Sequence, residues 1–396
     1  MIHLFINAIA STAGGGLTYV RNVVPHLAAR AGVRTTVLVS RQLAEELPSS
    51  PNVSILDDVQ DFGTWRRFLR EQWILPGLVK RSGAHVLLSA GNFALWNSPI
   101  PQILLSRNSL YTSLDFQNDL RTRADHRLWL DTHLKALFAA ASIRRAECTI
   151  APSAAFASEL HDWTGHNVVA IHHGFDADRF ARNGKSLSRD VQAKLAESAG
   201  AFRLLFVSHY NYYRNFGTLI RALQIVKQRL APGRIRLLLT CKLRTEDNPG
   251  SYRAESEAAL IRDLGLSEDV VELGAVPYNL LHKLYQSCDA YVTPAYAESF
   301  AHPLVEAMAS GLPVVASDLE VHREICGDAA VYFPRFSAQH LAGRLETIAH
   351  SPELRLVMRE KGLLCSQNFS WGKHVEDLLE VAATLSRGSG KFLTTM

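Results

Sequence analysis

The chain has 396 residues, 47% of them hydrophobic and 20% charged, which is ample apolar material for two cores and ordinary for a folded globular protein. Its net charge of +4 admits an anionic ligand or an anionic membrane surface and does not demand nucleic acid. The five cysteines, at 148, 241, 288, 326 and 365, are odd in number with no C-x-x-C pair, which argues against a disulfide framework or zinc site and for a reducing cytosol. Met1-Ile2-His3 run into a strand pattern without a basic leader, and no apolar run approaches the roughly 18 residues of a membrane span. The expected location is therefore the cytoplasm, with the inner face of a membrane left open.

Ile2 to Ile6 is a short apolar run, followed by Ser11-Thr12-Ala13-Gly14-Gly15-Gly16 and then Leu17, Val20, Val23, Val24 and Leu27 at helical spacing. Strand, glycine loop and helix open a Rossmann-like unit, in which Gly15 and Gly16 let backbone approach a ligand closely. Thr35 to Ser40 makes a second strand. A nicotinamide-binding domain is the rival reading, but Tyr19 stands where the third glycine of G-x-G-x-x-G belongs, and Arg41, not an acid, closes the second strand. Asp61 to Arg81 is basic and aromatic; Trp65, Phe68, Leu69 and Trp73 share a face, giving a half-buried surface helix or a membrane-docking one. Further strands run from His85 to Leu88 and from Pro101 to Leu105, the second ending in Ser106-Arg107-Asn108.

A single long helix is expected from about Asp119 to Arg145; His126 and His133 lie on it with no third ligand in spacing, so no zinc site is expected. Ser153, following Pro152, reads as the N-cap of a helix, a role that needs no functional explanation. Asp176 and Asp178 form an Asp-x-Asp that reads as turn chemistry, not a metal site. The polar stretch from Asn183 to Ala201 is the expected connection between domains. A second Rossmann-like unit begins at Phe202 to Val207, and its loop brings His209 and then Arg214 to a strand–helix junction, where an arginine can grip a phosphate through two nitrogens. Ile235 to Thr240 is the next strand, and Ala254 to Leu264 a helix. Val321 to Ile325 reads as a structural loop, Gly372 to Ser386 as a final helix, and Gly388 to Met396 as a frayed tail.

The densest signal lies between Pro294 and Ser317 (PAYAESFAHPLVEAMASGLPVVAS). The buried strand 290–293 ends at Pro294, Pro303 fits the first helical position, Gly311 stops the helix, and 313–316 starts the next strand. A helix N-terminus facing the carboxyl end of a parallel sheet favours an anion. Glu298 in the loop and Glu306, placed in the first turn, suit a ligand carrying hydroxyls as well as phosphate, such as a nucleotide sugar. The plainer alternative, which each residue alone favours, is that Glu306 complements the helix dipole and Glu298 is a solvated loop acid.

Glu298 to Glu306, continuing through Ser317, resembles the E-x7-E segment of retaining GT-B glycosyltransferases of the large GT4 family, whose usual text is close to ESFGLPLVEAMASGTPVVAS. Ala301 stands where glycine is usual and His302 where an aliphatic residue is usual, and both positions bear on the identity of the sugar. The sequence AGGGLTYVRNVVPHLA resembles the family's N-terminal glycine loop. Ala146 to Ser153 resembles its last N-domain strand and the Ser-led helix after it, Ile171 to Phe180 its domain junction, and Val270 to Val276 the segment whose backbone borders the nucleobase. Residues 208–215 resemble its G-R-L-x-x-x-K-G loop, with His209 at the arginine position and Arg214 at the lysine position. The resemblance implies an α/β GT-B fold: two facing Rossmann-like domains with a cleft between them and a C-terminal helix crossing back. The expected boundaries are 1–183 for an acceptor domain, 184–201 for the linker, 202–370 for the nucleotide-sugar domain, and 371–396 for the crossing helix and tail.

The implied function is retaining, metal-independent transfer of a hexosyl group from a GDP-, UDP- or dTDP-sugar to a glycan, lipid-linked or small-molecule acceptor, without a cofactor. Catalytic roles fall to Arg214, His209 and Glu298, and donor binding to Glu306, Ser299, Phe300, Ala301, His302, Gly15, Gly16 and Val276. Arg107 and Asn108 are acceptor candidates, Arg107 being equally readable as a structural ion-pair partner. A nucleotide-sugar epimerase of similar fold and a nicotinamide-dependent oxidoreductase are the alternatives.

Overall fold

The alternation of short apolar runs with 3.6-periodic segments folds into two parallel sheets flanked by helices. The computed structural model describes residues 1–11, 14–58, 63–181, 184–229, 235–248, 250 and 252–388. The chain forms two units: Met1–Thr112, Leu130–Gly174 and the stretch from Phe369 onward make the first, and Ser113–Trp129 with Phe175–Asn368 the second.

In the order of the chain the first part holds β1 (Ile2–Asn7), α1 (Gly14–Ala28), β2 (Val33–Ser40), α2 (Arg41–Ala44), β3 (Val53–Asp58), α3 (Thr64–Ser82), β4 (Val86–Ser89), β5 (Gln102–Leu105), α4 (Leu114–Thr122), α5 (His126–Arg145), β6 (Cys148–Ala151), α6 (Ala154–Thr164) and β7 (Val168–Ala170). The seven strands run in the order β3-β2-β1-β4-β5-β6-β7, and every pairing is parallel. Helices cover both faces of such a sheet, so its strands are apolar on both sides. In β1, Leu4 and Ile6 join one core with Val20, Val24 and Leu27 of α1, while Phe5 joins Leu75 and Val79 of α3 in another.

The second part holds α7 (Ala177–Ala181), α8 (Arg189–Glu197), β8 (Phe202–Phe206), α9 (Phe216–Arg229), β9 (Ile235–Leu239), α10 (Glu255–Asp263), β10 (Val270–Glu272), α11 (Leu281–Gln286), β11 (Ala290–Thr293), α12 (His302–Ala309), β12 (Val314–Ser317), α13 (Glu320–Cys326), β13 (Ala330–Phe333), α14 (Ala338–His350), α15 (Pro352–Ser366) and α16 (Trp371–Ser386). Its sheet runs β10-β9-β8-β11-β12-β13, the doubly wound order that reverses direction between its first and fourth strands in sequence. Helix α16 lies in the first unit, where Trp371, Val375, Leu378 and Ala382 pack into the core of α1 and β1. Gly174 lets it do so: a Cβ there would lie 2.0 Å from the Trp371 backbone nitrogen.

The long helix expected over 119–145 is two helices, because Ala124 takes a left-handed φ of 52° and Asp125 caps α5 by accepting from the Leu128 N–H at 3.3 Å. Its first piece, α4, belongs to the second unit, although the sequence placed it with the N-terminal domain. The connection expected at 184–201 contains α8, with Ser188 as its cap and Val191 and Leu195 buried. Lys194 of α8 donates to the Glu272 carbonyl at 3.0 Å. Residues 61 and 62, at the start of the basic aromatic stretch, Asn183 and the tail from 389 onward lie outside the described residues.

Candidate active site

In the second unit the sheet order diverges between β8 and β11, so the loops after these two strands part around a crevice at their carboxyl ends. The β8 loop carries His209 and Arg214; the β11 loop carries Glu298. Bonds to backbone carbonyls tie these loops together. Tyr296 N–H donates to the Tyr213 carbonyl at 3.0 Å. Asn215, at a left-handed φ of 55° that asparagine tolerates, donates from Nδ2 to the Pro294 carbonyl at 3.0 Å and the Arg335 carbonyl at 2.6 Å.

Arg214 Nη1 donates to Glu298 Oε2 in an ion pair whose side chains are 19% and 12% exposed. Burial by itself would lower the guanidinium's pKa, but the Glu298 charge and neighbouring tyrosines override it, and the net shift is upward. Arg214 is thus a fixed cation, its guanidinium 5.0 Å from the Tyr213 ring centre. Opening a buried pair of this kind is costly unless another charge replaces the lost partner. An incoming phosphate group would supply that charge.

His209 lines a cavity of about 180 Å³ with Thr240, Cys241, Lys242, Asp247, Gly274 and Ala275; Val276 is the next residue in the chain. Partial withdrawal from water and the nearby Arg214 charge both lower the His209 pKa below that of a free imidazole. Lys242, which the sequence reading overlooked, supplies the exposed cation in that cavity. A lone lysine at a strand end carries no pattern that would have singled it out.

Helix α12 begins at His302, with Pro303 in its first turn and Ala301 before it at φ 64°, ψ 63°. That left-handed cap explains why a glycine suits this position. Phe300 and Ala301 are buried, the His302 ring lies 4.8 Å from the Phe300 ring, and Ser299 N–H makes a long 3.4 Å bond to Glu298 Oε1. Glu306 is the fifth residue of α12, not part of its first turn, because the helix starts as late as His302. It is 5% exposed and accepts from Tyr285 Oη at 3.0 Å. Burial pushes its pKa up to about 7, with the Tyr285 bond acting in the opposite direction. Both carboxylates of the motif therefore bond to protein groups: Glu298 to Arg214, and Glu306 to Tyr285.

His322, expected in a structural loop, sits on α13 and is wholly buried. Its Nδ1 lies 3.0 Å from Ser317 Oγ and 3.1 Å from the Ser317 carbonyl. Burial pushes its pKa down to about 4, although the Glu298 charge acts to raise it. Helix α4 buttresses the same loops. Tyr296 Oη donates to Asp119 Oδ2 at 2.6 Å, Arg335 Nε donates to Asp115 Oδ2 at 2.8 Å, and the Phe116 ring lies 6.2 Å from that of Tyr213.

The remaining expected residues belong to the first unit. Gly15 has open space where a side chain would go, but a Cβ on Gly16 would lie 2.4 Å from Arg107 Nη2. At Gly16 the close approach is thus made by the protein's own arginine. Arg107 Nη2 also reaches Ser11 Oγ at 3.4 Å, and burial pushes its pKa down to about 10. Asn108 Oδ1 accepts from the Leu110 N–H at 3.1 Å, closing a turn. The Asp176 carbonyl accepts from Phe180 N–H at 3.0 Å where α7 begins. Among the described residues no group of three His, Cys, Asp or Glu is placed to hold a metal ion.

Two parallel doubly wound sheets, the second with a cation and a carboxylate at its switch point, are the architecture of GT-B glycosyltransferases, and the chain belongs to that class. Residues 188–364 match the family of glycosyl transferases group 1, and residues 13–179 match glycosyltransferase family 4. Among its relatives, a D-inositol 3-phosphate glycosyltransferase of Corynebacterium aurimucosum is 27% identical over 57% of this chain and 53% of its own length. A phosphatidyl-myo-inositol mannosyltransferase of Mycobacterium tuberculosis is 29% identical over 57% and 56%. The matched stretches thus span little more than half the length of these curated relatives. The fold is shared with sucrose-phosphate synthase of Thermosynechococcus elongatus, at a TM-score of 0.76 with 17% identity over 98% of this chain and 100% of that one. It is shared also with Anabaena HepE, solved with UDP and glucose, at a TM-score of 0.71 with 18% identity over 97% and 100%.

Proposed function

We propose that the protein is a retaining, metal-independent glycosyltransferase that moves a hexosyl group from a GDP-, UDP- or dTDP-sugar to a hydroxyl of a glycan, lipid-linked or small-molecule acceptor. The observation that carries this reading is the buried Arg214–Glu298 pair at the switch point of the second sheet. A diphosphate entering there competes with Glu298 for Arg214. Once the arginine turns to the phosphate oxygens, the Glu298 carboxylate is released to accept from hydroxyls of the donor sugar.

As the glycosidic bond breaks, negative charge grows on the leaving diphosphate, and a cation already fixed in place stabilises it without reorganisation. His209 donates a hydrogen bond to the same oxygens and gains a proton as their charge raises its pKa. Ser299, Phe300, Ala301 and His302 form the turn beneath the sugar, while Val276 borders the base and Glu306 accepts from the ribose. Gly15, Arg107 and Asn108 are kept as ligand-contact candidates of the first unit, while Gly16, already met by the Arg107 side chain, is not. Support for a polyol or lipid acceptor comes from relatives named for inositol phosphate and phosphatidyl-inositol, and for a UDP-sugar from the neighbour solved with UDP and glucose. The reaction is placed in the cytoplasm, with peripheral contact at the inner membrane face where the acceptor is lipid-linked. No helix among the described residues is long and apolar enough to cross a membrane.

The test is incubation with each nucleotide hexose in a chelator, following nucleotide diphosphate release and the anomeric proton of the product by NMR. Slow release without acceptor and an unchanged anomeric configuration are expected. Isomerised sugar still attached to its nucleotide would favour the epimerase instead, and an inverted product or a strict metal requirement would overturn the mechanism.

A further inference from the structure

Helix α3 buries only Phe68, Leu75 and Val79, so its aromatic residues do not share one sheltered face as the sequence suggested. Trp73 is 85% exposed, Leu69 58% and Ile74 45%. On α5, Leu130, Leu134 and Leu137 are likewise exposed, at a spacing that places them along one stripe. The two helices meet at one place, where the Phe138 ring of α5 lies 5.0 Å from that of Trp65 and 5.4 Å from that of Phe68. Phe138 also stacks on Trp96 at 5.7 Å, and Arg145 lies over the Trp96 ring at 4.4 Å. Single exposed apolar side chains are ordinary on a soluble protein; a cluster on adjoining helices is not.

The charge around this cluster decides what covers it. Helix α3 carries five basic residues against one acid, and α5 four against one. Together they hold a net +7 in a chain whose total is +4, so the rest of the molecule is net negative. Both acids are already spent within the helices: Glu71 pairs with Arg67 at 3.5 Å and accepts from Asn7 Nδ2 at 3.0 Å, and Asp131 pairs with Lys135 at 2.5 Å, so the net charge is carried by the remaining basic residues. Arg66, Lys80, Arg81 and Arg144 are exposed.

We infer that the α3–α5 face docks on an anionic lipid surface. Trp73 and the leucines enter the interfacial zone, where tryptophan is favoured, and the flanking arginines and lysines meet the headgroup charges. A protein partner would need matching acids and an apolar groove; an anionic bilayer offers both chemistries over its whole area. This gives the membrane contact included in the proposed function a particular surface and lipid charge. It rests on that part of the reading alone, and binding is measured without any transfer reaction.

The full chain is mixed with phosphatidylcholine vesicles, with and without about one third phosphatidylglycerol, and sedimented. Binding to the anionic vesicles is expected to be tighter by about tenfold or more, and to weaken as salt screens the charges. The double variant Leu69→Ser/Trp73→Ser is expected to lose that binding, and Arg66→Glu/Lys80→Glu to lose the preference for anionic lipid. Both should keep wild-type release of nucleotide from a donor sugar, so a failure of vesicle binding is distinguishable from a failure of the proposed reaction. Equal binding to both vesicle types, wild-type binding by both variants, or no binding at all would overturn the inference. A dimer that Leu69→Ser/Trp73→Ser dissolves, in place of lipid binding, would reassign the face to a second copy of the chain.

Discussion

Replacing Glu306 with glutamine tests the electrostatics of the site most sharply in the folded protein itself. The carboxyl group is 5% exposed and burial holds its pKa at about 7 instead of 4.5. The folded state therefore binds this proton more tightly than the unfolded chain does. Below about pH 4.5 both states are protonated and the group costs nothing. As pH rises towards 7 the unfolded chain ionises first and stability falls; above 7 the whole cost is present. At about 1.4 kcal/mol per pKa unit the cost is on the order of 3 kcal/mol. Glutamine keeps an oxygen for the Tyr285 hydroxyl and cannot ionise, although its buried amide hydrogens cost about 1 kcal/mol. Urea unfolding at pH 5 and pH 8.5 should show Glu306→Gln slightly less stable than wild type at the lower pH and more stable at the higher. A difference between the two proteins that does not change with pH would refute the reasoning.

Other perturbations probe other links. Ala301→Gly removes a left-handed alanine, so thermal unfolding should rise by the equivalent of about 1 kcal/mol, less the entropy glycine gains when unfolded; an unchanged or lower midpoint would deny the strain. Gly174→Ala drives a methyl into the Trp371 backbone and should destabilise the first unit by about 3 kcal/mol or more, visible as early loss of amide protection in α16. For the bond from Tyr296 to Asp119, a double-mutant cycle of Tyr296→Phe and Asp119→Asn should return a coupling of about 1 to 3 kcal/mol. Additive effects would mean that α4 does not hold the β11 loop.

Much of the architecture was legible because its signals are local. The run ending at Pro294, the proline at position 303 and the glycine at 311 each mark a boundary for a stated steric reason, and the observed β11, α12 and β12 follow them. The split at Ala124 was not legible, since alanine carries no turn signal and the apolar spacing runs through it. Strands β3, β7, β10 and β13 went unmarked; β7 and β10 are three residues long and only partly buried. His209 and Arg214 lie on one loop, where the resemblance to a family's loop text marks them as candidates. The partners that fix their state come from distant parts of the chain. Tyr285 meets Glu306 across α11 and α12, Asn215 ties two loops, and Asp119 arrives from a helix that the chain order assigns elsewhere. No period in the sequence records such contacts, and the protonation of Glu306 follows from them alone.

The claim on which the rest depends is that Arg214 acts on the departing diphosphate. Steady-state turnover of a nucleotide hexose by Arg214→Ala, with Arg214→Lys as the variant that keeps the charge, measures it directly. The account predicts kcat lower by about 100-fold or more in Arg214→Ala, a smaller loss in Arg214→Lys, and donor binding changed by much less than turnover in both. Turnover equal to wild type in Arg214→Ala, in a protein that still folds, would contradict it.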